Sequence, residues 1–245
     1  MTMDTETSVQ TVFFDAVGTL FTVKGSVGQV YSRVARDFGV EVDSVHLNRA
    51  FYHAFQQAPA AAFPGVAPEQ VANLERQWWR QVVEQTFAAV GYGDFCGFDA
   101  YFTHVYDLFA EAGVWELYPE TLDVLQQIQR AGIPMGLISN FDSRLFPVIA
   151  ALGLRDYFAS ITSSSSVGAA KPDPLIFAAA LAKHGIAAPA ALHIGDSFSQ
   201  DYQGARAVGW QALWLNREGN RTPHSDEIFH LEGVLPRLAV TFAFS

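Results

Sequence analysis

The sequence predicts an α/β fold, a doubly wound parallel sheet with an all-helical unit inserted near its start. Three observations carry that prediction. Short apolar runs rich in Val, Ile, Leu and Phe alternate with amphipathic stretches through the second half of the chain. One such run stands alone near the N-terminus. The block between them carries helical periodicity only. At 245 residues, half of them hydrophobic, the chain can bury one sizeable core and a smaller second unit.

Thr11–Phe14 is rich in β-formers and breaks at Asp15 into a Gly18-Thr19 turn, so it reads as a buried strand with Asp15 at its C-terminal end. From about Ser26 to Ala112 the period is helical. Val27, Val30, Tyr31 and Val34 form one stripe that Gly39 can end; Pro68 can open a longer helix along which Val71, Leu74, Trp78, Val82 and Phe87 recur. No strand is expected in this block, which sets the helical insertion at residues 25–112 and the α/β core at residues 1–24 and 113–245. After Tyr118-Pro119 comes a helix closed by Gly132, then a strand at residues 134–139. A helix near 144–152, a strand near 158–163, a helix near 174–184, a strand at 191–194, a helix near 203–208 and a strand at 211–215 complete the series. Alternation of this kind implies right-handed crossovers covering both faces of a parallel sheet.

Composition excludes several roles. The net charge is -10 and the Lys and Arg residues are scattered singly, so no basic stripe can track nucleic acid or an anionic membrane. The lone Cys96 has no partner for an internal disulfide, and the N-terminal MTMDTETSVQ lacks the apolar core of a signal peptide. No apolar run reaches the ~18 to 20 residues of a spanning helix. A soluble cytoplasmic protein without nucleic-acid or membrane partners is expected; the oligomeric state is not legible.

Ligands of open α/β sheets bind outside the carboxyl ends of the strands, where strand order reverses. Four polar segments follow predicted strands there: Asp15 in FFDAVGTL, Ser139 in LISNFD, Lys171 in KPDP, and Asp196 with Asp201 in HIGDSFSQD. A carboxylate nucleophile needs a cation to hold a phosphoryl dianion beside it, and two carboxylates with a carbonyl offer hard oxygen ligands suited to Mg²⁺. A hydroxyl and an ammonium can bind the remaining phosphoryl oxygens.

In order and separation these segments resemble the four motifs of the haloacid dehalogenase-like (HAD) superfamily, over roughly residues 11–216. The matched residues are Asp15, Gly18, Thr19, Ser139, Lys171, Gly195, Asp196 and Asp201, and the stretches VGAAKPDPLIF and HIGDSFSQDYQGARAVG match more closely than the minimal motifs require. The helical insertion is similar to the cap of the subfamily that holds 2-haloacid dehalogenases and phosphoglycolate phosphatases, and the core to a Rossmann-like sheet. The resemblance implies a Mg²⁺-dependent phosphatase acting on a small phosphorylated metabolite. Asp15 would attack phosphorus; Asp15, the carbonyl of Val17 and Asp196 would hold the metal, with Asp201 supporting it directly or through its ligands. Ser139 and Lys171 would bind the phosphoryl group, and Asn140 is a further candidate for substrate binding.

One residue departs from the phosphatase pattern D-x-D-G-T. Its second Asp, which protonates the leaving group and activates water, is Val17 here. Dehalogenases also lack that Asp, yet need no metal, so Asp196 and Asp201 favour phosphorus over carbon and halogen. Dehalogenation of small haloacids and a catalytically silent phosphate or metabolite binder are the alternatives. Elsewhere, Ser163 to Ser166 reads as a solvated loop rather than an anion cradle, and His193 as a satisfied structural histidine. One of Trp78 and Trp79 reads as helical-unit core, with Arg49, Arg76 and Arg80 on its solvated face, although all could meet a substrate. Arg144 is balanced between substrate contact and helix-surface charge.

Overall fold

β1, Thr11–Phe14, buries all four side chains, as a parallel strand enclosed between two helical layers must. The computed structural model describes residues 8–93, 95–219 and 224–238. After β1 come β2 (Phe21–Val23), α1 (Val27–Arg36), α2 (Ser44–Gln57), α3 (Pro68–Ala89), α4 (Phe98–Leu108) and β3 (Trp115–Leu117). The remainder alternates: α5 (Thr121–Arg130), β4 (Met135–Ser139), α6 (Leu145–Ala151), β5 (Ser160–Ser163), α7 (Ser164–Val167) and α8 (Pro174–Ala182). It ends with β6 (Ala191–Gly195), a π-helical segment Phe198–Gln203, α9 (Gly204–Ala207), β7 (Gln211–Leu215) and β8 (Glu227–Ile228).

Among the described residues six strands form one sheet in the order β5-β4-β1-β6-β7-β8, every neighbouring pair parallel, which is the fold class that the sequence predicts. The chain lays β4 and β5 on one side of β1 and then crosses to build β6, β7 and β8 on the other. The switch point therefore lies at the carboxyl end of β1. Phe14 pairs with Leu137 of β4 and Ile194 of β6, so Ser139 and Asp196 each stand one residue beyond the level of Asp15. Side chains alternate between faces: Val12 and Phe14 join one core with Leu137 and Leu213, while Phe13 joins the other with Ile138, Phe177 and Trp210.

α1 to α4 pack around a third core that includes Tyr31, Phe51, Val83, Phe87 and Tyr101. Their starts are chemically specified. Ser26 accepts from the N–H of Gln29 at 3.1 Å, Asp43 accepts from that of His46 at 2.8 Å, and Pro68 opens α3. Each such side-chain cap contributes ~1 kcal/mol. The chain enters and leaves this unit through β2 and β3, an antiparallel pair in which Phe21 faces Leu117 and Thr22 faces Glu116.

Two expectations are corrected here. Ser163 to Ser166 is not a solvated loop: Ser163, Ser164 and Ser165 are buried, and α7 turns there under the helical unit, with Ser164 Oγ donating to the carbonyl of Ala61 at 2.8 Å. On α3, Val71 and Leu74 are only half-buried while Glu75 is 1 % exposed. The start of α3 faces a polar loop of the sheet domain rather than helical neighbours, so a carboxylate outranks the apolar stripe. Among the described residues no helix is long and apolar enough to cross a membrane.

Candidate active site

Asp15 leaves β1 with its N–H donated to the carbonyl of Ile194 at 2.8 Å, which aims its side chain into the crevice beyond the sheet. Lys171 Nζ donates to Asp15 Oδ1 at 2.5 Å, to Asp201 Oδ1 at 2.6 Å and to the carbonyl of Ile138 at 2.9 Å. Thr19 Oγ1 donates to Asp15 Oδ2 at 3.4 Å. Asp201 is set by the π-helical segment after β6, and its Oδ2 accepts from the N–H of Ser197 at 3.0 Å. Extra π turns of this sort often mark functional positions.

Two glycines make the crowding possible. Gly18 has φ +89°, and a Cβ there would sit 2.3 Å from Asp196 Oδ2; a Cβ on Gly195 would sit 2.1 Å from Asp201 Cγ. Asp15, Asp196 and Asp201 thus each bring an oxygen within 4.8 Å of the others. Three carboxylates face one ammonium. Burial pushes the Asp15 carboxyl above its ordinary value, Lys171 opposes that, and Asp201 adds to it. Burial also works against ionised Asp201, but Lys171 and His193 outweigh it and hold it well below the carboxylate range. Burial disfavours the Lys171 ammonium, yet Asp15 and Asp201 outweigh it and keep the group charged.

Asp196 is the group left over. Loss of water on its protein side, then repulsion from Asp15 and Asp201, push its carboxyl up to about 7. Its residue surface is still exposed at the crevice mouth, so the repulsion from two fixed neighbours is the firmer cause. Hard oxygen donors carrying excess negative charge suit a divalent cation such as Mg²⁺.

The other sequence candidates fall into place as follows. Ser139 ends β4 and is buried, one residue past the Ile138 carbonyl that accepts from Lys171. Asn140 Oδ1 accepts from the N–H of Lys171 at 2.7 Å, while its Nδ2 donates to the Lys171 carbonyl at 3.0 Å and to Gln200 Oε1 at 3.1 Å. Both amide hydrogens are spent, so Asn140 positions the lysine loop. His193 is fully buried behind Asp201 with Nε2 2.9 Å from Oδ1, and its Nδ1 has no partner among the described residues, so it is only half satisfied.

Val17 lies in the wall of a cavity of about 180 Å³ between the strand ends and α1 to α4. Trp79 reaches that cavity, whereas Trp78 is buried with its indole N–H on the carbonyl of Pro59. Arg76 pairs with Thr103 and Asp107, Arg80 with Glu84 and Asp99, and Arg49 is exposed. Arg144 is neither a surface charge nor free: it is 8 % exposed and forked onto Asp142.

Three partners were not legible in the sequence. Glu75 accepts from the N–H of Ser143 at 3.0 Å, and Asp142 takes both Arg144 and the indole N–H of Trp79. Arg217 donates to the carbonyls of Gly18 at 3.1 Å and Thr19 at 2.8 Å while stacking 3.6 Å over Tyr118. It braces the turn after Asp15 from the far end of the chain, a pairing with no local sequence signal.

A family model for haloacid dehalogenase-like hydrolases matches residues 9–209. Haloacid dehalogenase-like hydrolase domain-containing protein 3 of Danio rerio is 32% identical over 219 residues, 89% of this chain and 89% of its own length. The fold is also similar to that of a HAD phosphatase from Thermococcus onnurineus, with TM-score 0.68, 23% identity, and 95% and 99% of the two chains covered. It is equally similar to L-2-haloacid dehalogenase from Xanthobacter autotrophicus, with TM-score 0.69, 16% identity, and 94% and 98% covered. Fold likeness therefore does not choose between the two chemistries.

Proposed function

Because the chain belongs to the haloacid dehalogenase-like hydrolase family, we propose that it is a cytoplasmic Mg²⁺-dependent phosphatase of small phosphorylated metabolites, with residues 25–112 serving as a cap over the crevice. The observation that carries this reading is the surplus of carboxylate: Asp15, Asp196 and Asp201 converge within 4.8 Å around Lys171, the one lysine or arginine that pairs with them among the described residues. Carbon–halogen displacement would need no such surplus.

Asp15 is the nucleophile. An oxygen of its carboxylate bonds to phosphorus as the ester oxygen departs with the bonding electrons, and water then releases inorganic phosphate from the aspartyl-phosphate. Lys171 opposes the rise that burial gives the Asp15 carboxyl and meets the phosphoryl charge, Ser139 donates to a phosphoryl oxygen, and Asp201 holds Lys171 in line. Asp15, Asp196 and the carbonyl of Val17 would hold Mg²⁺, which supplies neutralising charge for the incoming dianion. Val17 cannot hand a proton to the leaving oxygen, so turnover is slow for poor leaving groups. Exposed, unpaired Cys96 suits a reducing compartment.

The test is a panel of phosphate esters with 2-chloropropionate added, run in Mg²⁺ and in EDTA on wild type and Asp196→Asn. We expect phosphate release only with Mg²⁺ and a loss of at least ~10²-fold in Asp196→Asn. Halide release, or full activity of Asp196→Asn in EDTA, would overturn the reading in favour of dehalogenation.

A further inference from the structure

Resting on that phosphatase reading, we propose that the substrate is a phosphate monoester whose leaving group carries a single aromatic ring, which the cap cavity takes up. The cavity and the polar cluster share a wall. Val17 lies two residues beyond Asp15, and Asn140, which is bonded to the backbone of Lys171, follows Ser139. The lining also includes Phe55, Trp79, Tyr106 and Trp115. The one formal charge on the lining is Arg144, whose guanidinium is forked onto Asp142 and donates to the Tyr106 carbonyl at 3.1 Å. Among the described residues no carboxylate or lysine lines the space. A sugar or glycerol would bring hydroxyls that lose water there and find few partners, at a cost in affinity.

Size points the same way. The cavity of about 180 Å³ is comparable to the dry 150 Å³ engineered cavities that accept benzene, so its size suits a single ring. The chemistry agrees independently. When Asp15 attacks, the P–O ester bond breaks and its electron pair stays on the departing oxygen; with valine at position 17 no side-chain proton arrives there. A phenolate carries that pair in its ring and later takes a proton from water, whereas an alkoxide cannot leave so readily. Hydrolysis of the aspartyl-phosphate by water returns Asp15 and inorganic phosphate.

Binding and reactivity can be separated with inert probes on the Mg²⁺-loaded wild type. Benzylphosphonate and methylphosphonate have the same phosphonate head and differ by one ring. Calorimetry is expected to show benzylphosphonate binding on the order of 100-fold more tightly, the effect of burying one aromatic side chain's worth of surface. Val27 also lines the cavity, and in Val27→Phe, which fills part of that space with a further ring, the ratio falls towards one. Phenyl phosphate is expected to exceed glycerol phosphate in kcat/KM by at least the same factor. Equal binding of the two phosphonates by a protein that hydrolyses phosphate esters would overturn the aromatic assignment and leave the phosphatase reading intact. No binding of either phosphonate, with no phosphate released from any ester, would overturn both.

Discussion

Two charge clusters meet the loop after β4, one at Ser139 and the other three residues on at Asp142, and they are built to opposite rules. Beyond Ser139 the loop borders the cluster of Asp15, Asp196, Asp201 and Lys171, where negative charge is in excess and Asp196 cannot ionise freely at neutral pH. At Asp142 to Arg144 charge is balanced and saturated. Arg144 gives Asp142 its backbone N–H at 2.9 Å, Nε at 2.9 Å and Nη2 at 2.6 Å, while its ring-facing side lies 4.0 Å over Tyr106 of α4. Burial alone would lower the guanidinium's pKa, but Asp142 outweighs it and holds the group charged. Glu75 of α3 is satisfied by the N–H and hydroxyl of Ser143. The saturated cluster fastens α3 and α4 to the sheet domain; in the other, three carboxylates share one ammonium. Completeness of pairing, more than burial, separates a structural charge from a functional one.

The largest effect expected from breaking that contrast is on stability. Asp142→Ala strands the Arg144 guanidinium in a dry interface and is expected to cost ~3–5 kcal/mol in denaturant unfolding, whereas the paired change Asp142→Leu with Arg144→Met costs far less. A loss under ~1 kcal/mol for Asp142→Ala would mean that the cluster does not hold the two units together. Next comes Val17→Asp, which puts a carboxylate where the leaving oxygen departs. Its kcat on glycerol phosphate should rise by at least ~10², with a smaller gain on phenyl phosphate, because acid assistance matters only for a poor leaving group whereas water activation serves both esters. Equal gains on both esters would show that water activation, and not the missing proton, is the deficit. The smallest effect is graded by pH. An Asp196 carboxyl with its pKa raised to about 7 must shed a proton to ligate a cation, so Mg²⁺ affinity is lost as pH falls below 7. Calorimetric titration should show it weakening about tenfold per pH unit below 7 and levelling off above. A flat profile between pH 5 and 8 would remove Asp196 from the ligand set.

Much of the fold was legible because the relevant forces are local. The apolar runs that became β1, β4, β6 and β7 and the stripe of α1 announce themselves by period, and Gly39 and Pro68 by backbone chemistry. What escaped was short or distant. β2 and β3 are three residues each and find one another across the whole helical unit, and β8 is two residues at the sheet edge. Asp15, Ser139, Lys171, Asp196 and Asp201 could be marked as strand-end polar residues, but not the spending of all three Lys171 protons on Asp15, Asp201 and Ile138.

The sequence by itself determined the fold class and the residue types at the strand ends, because periodicity, turn residues and carboxylate chemistry are properties of neighbours along the chain. Only the tertiary structure decided which charges are balanced. That Glu75 is buried against Ser143, that Arg144 is spent on Asp142, and that aromatic rings from four helices close over Val17 depend on contacts between segments many residues apart. No local pattern encodes them, since the electrostatic and packing environment of a side chain is set by whatever folding brings to it.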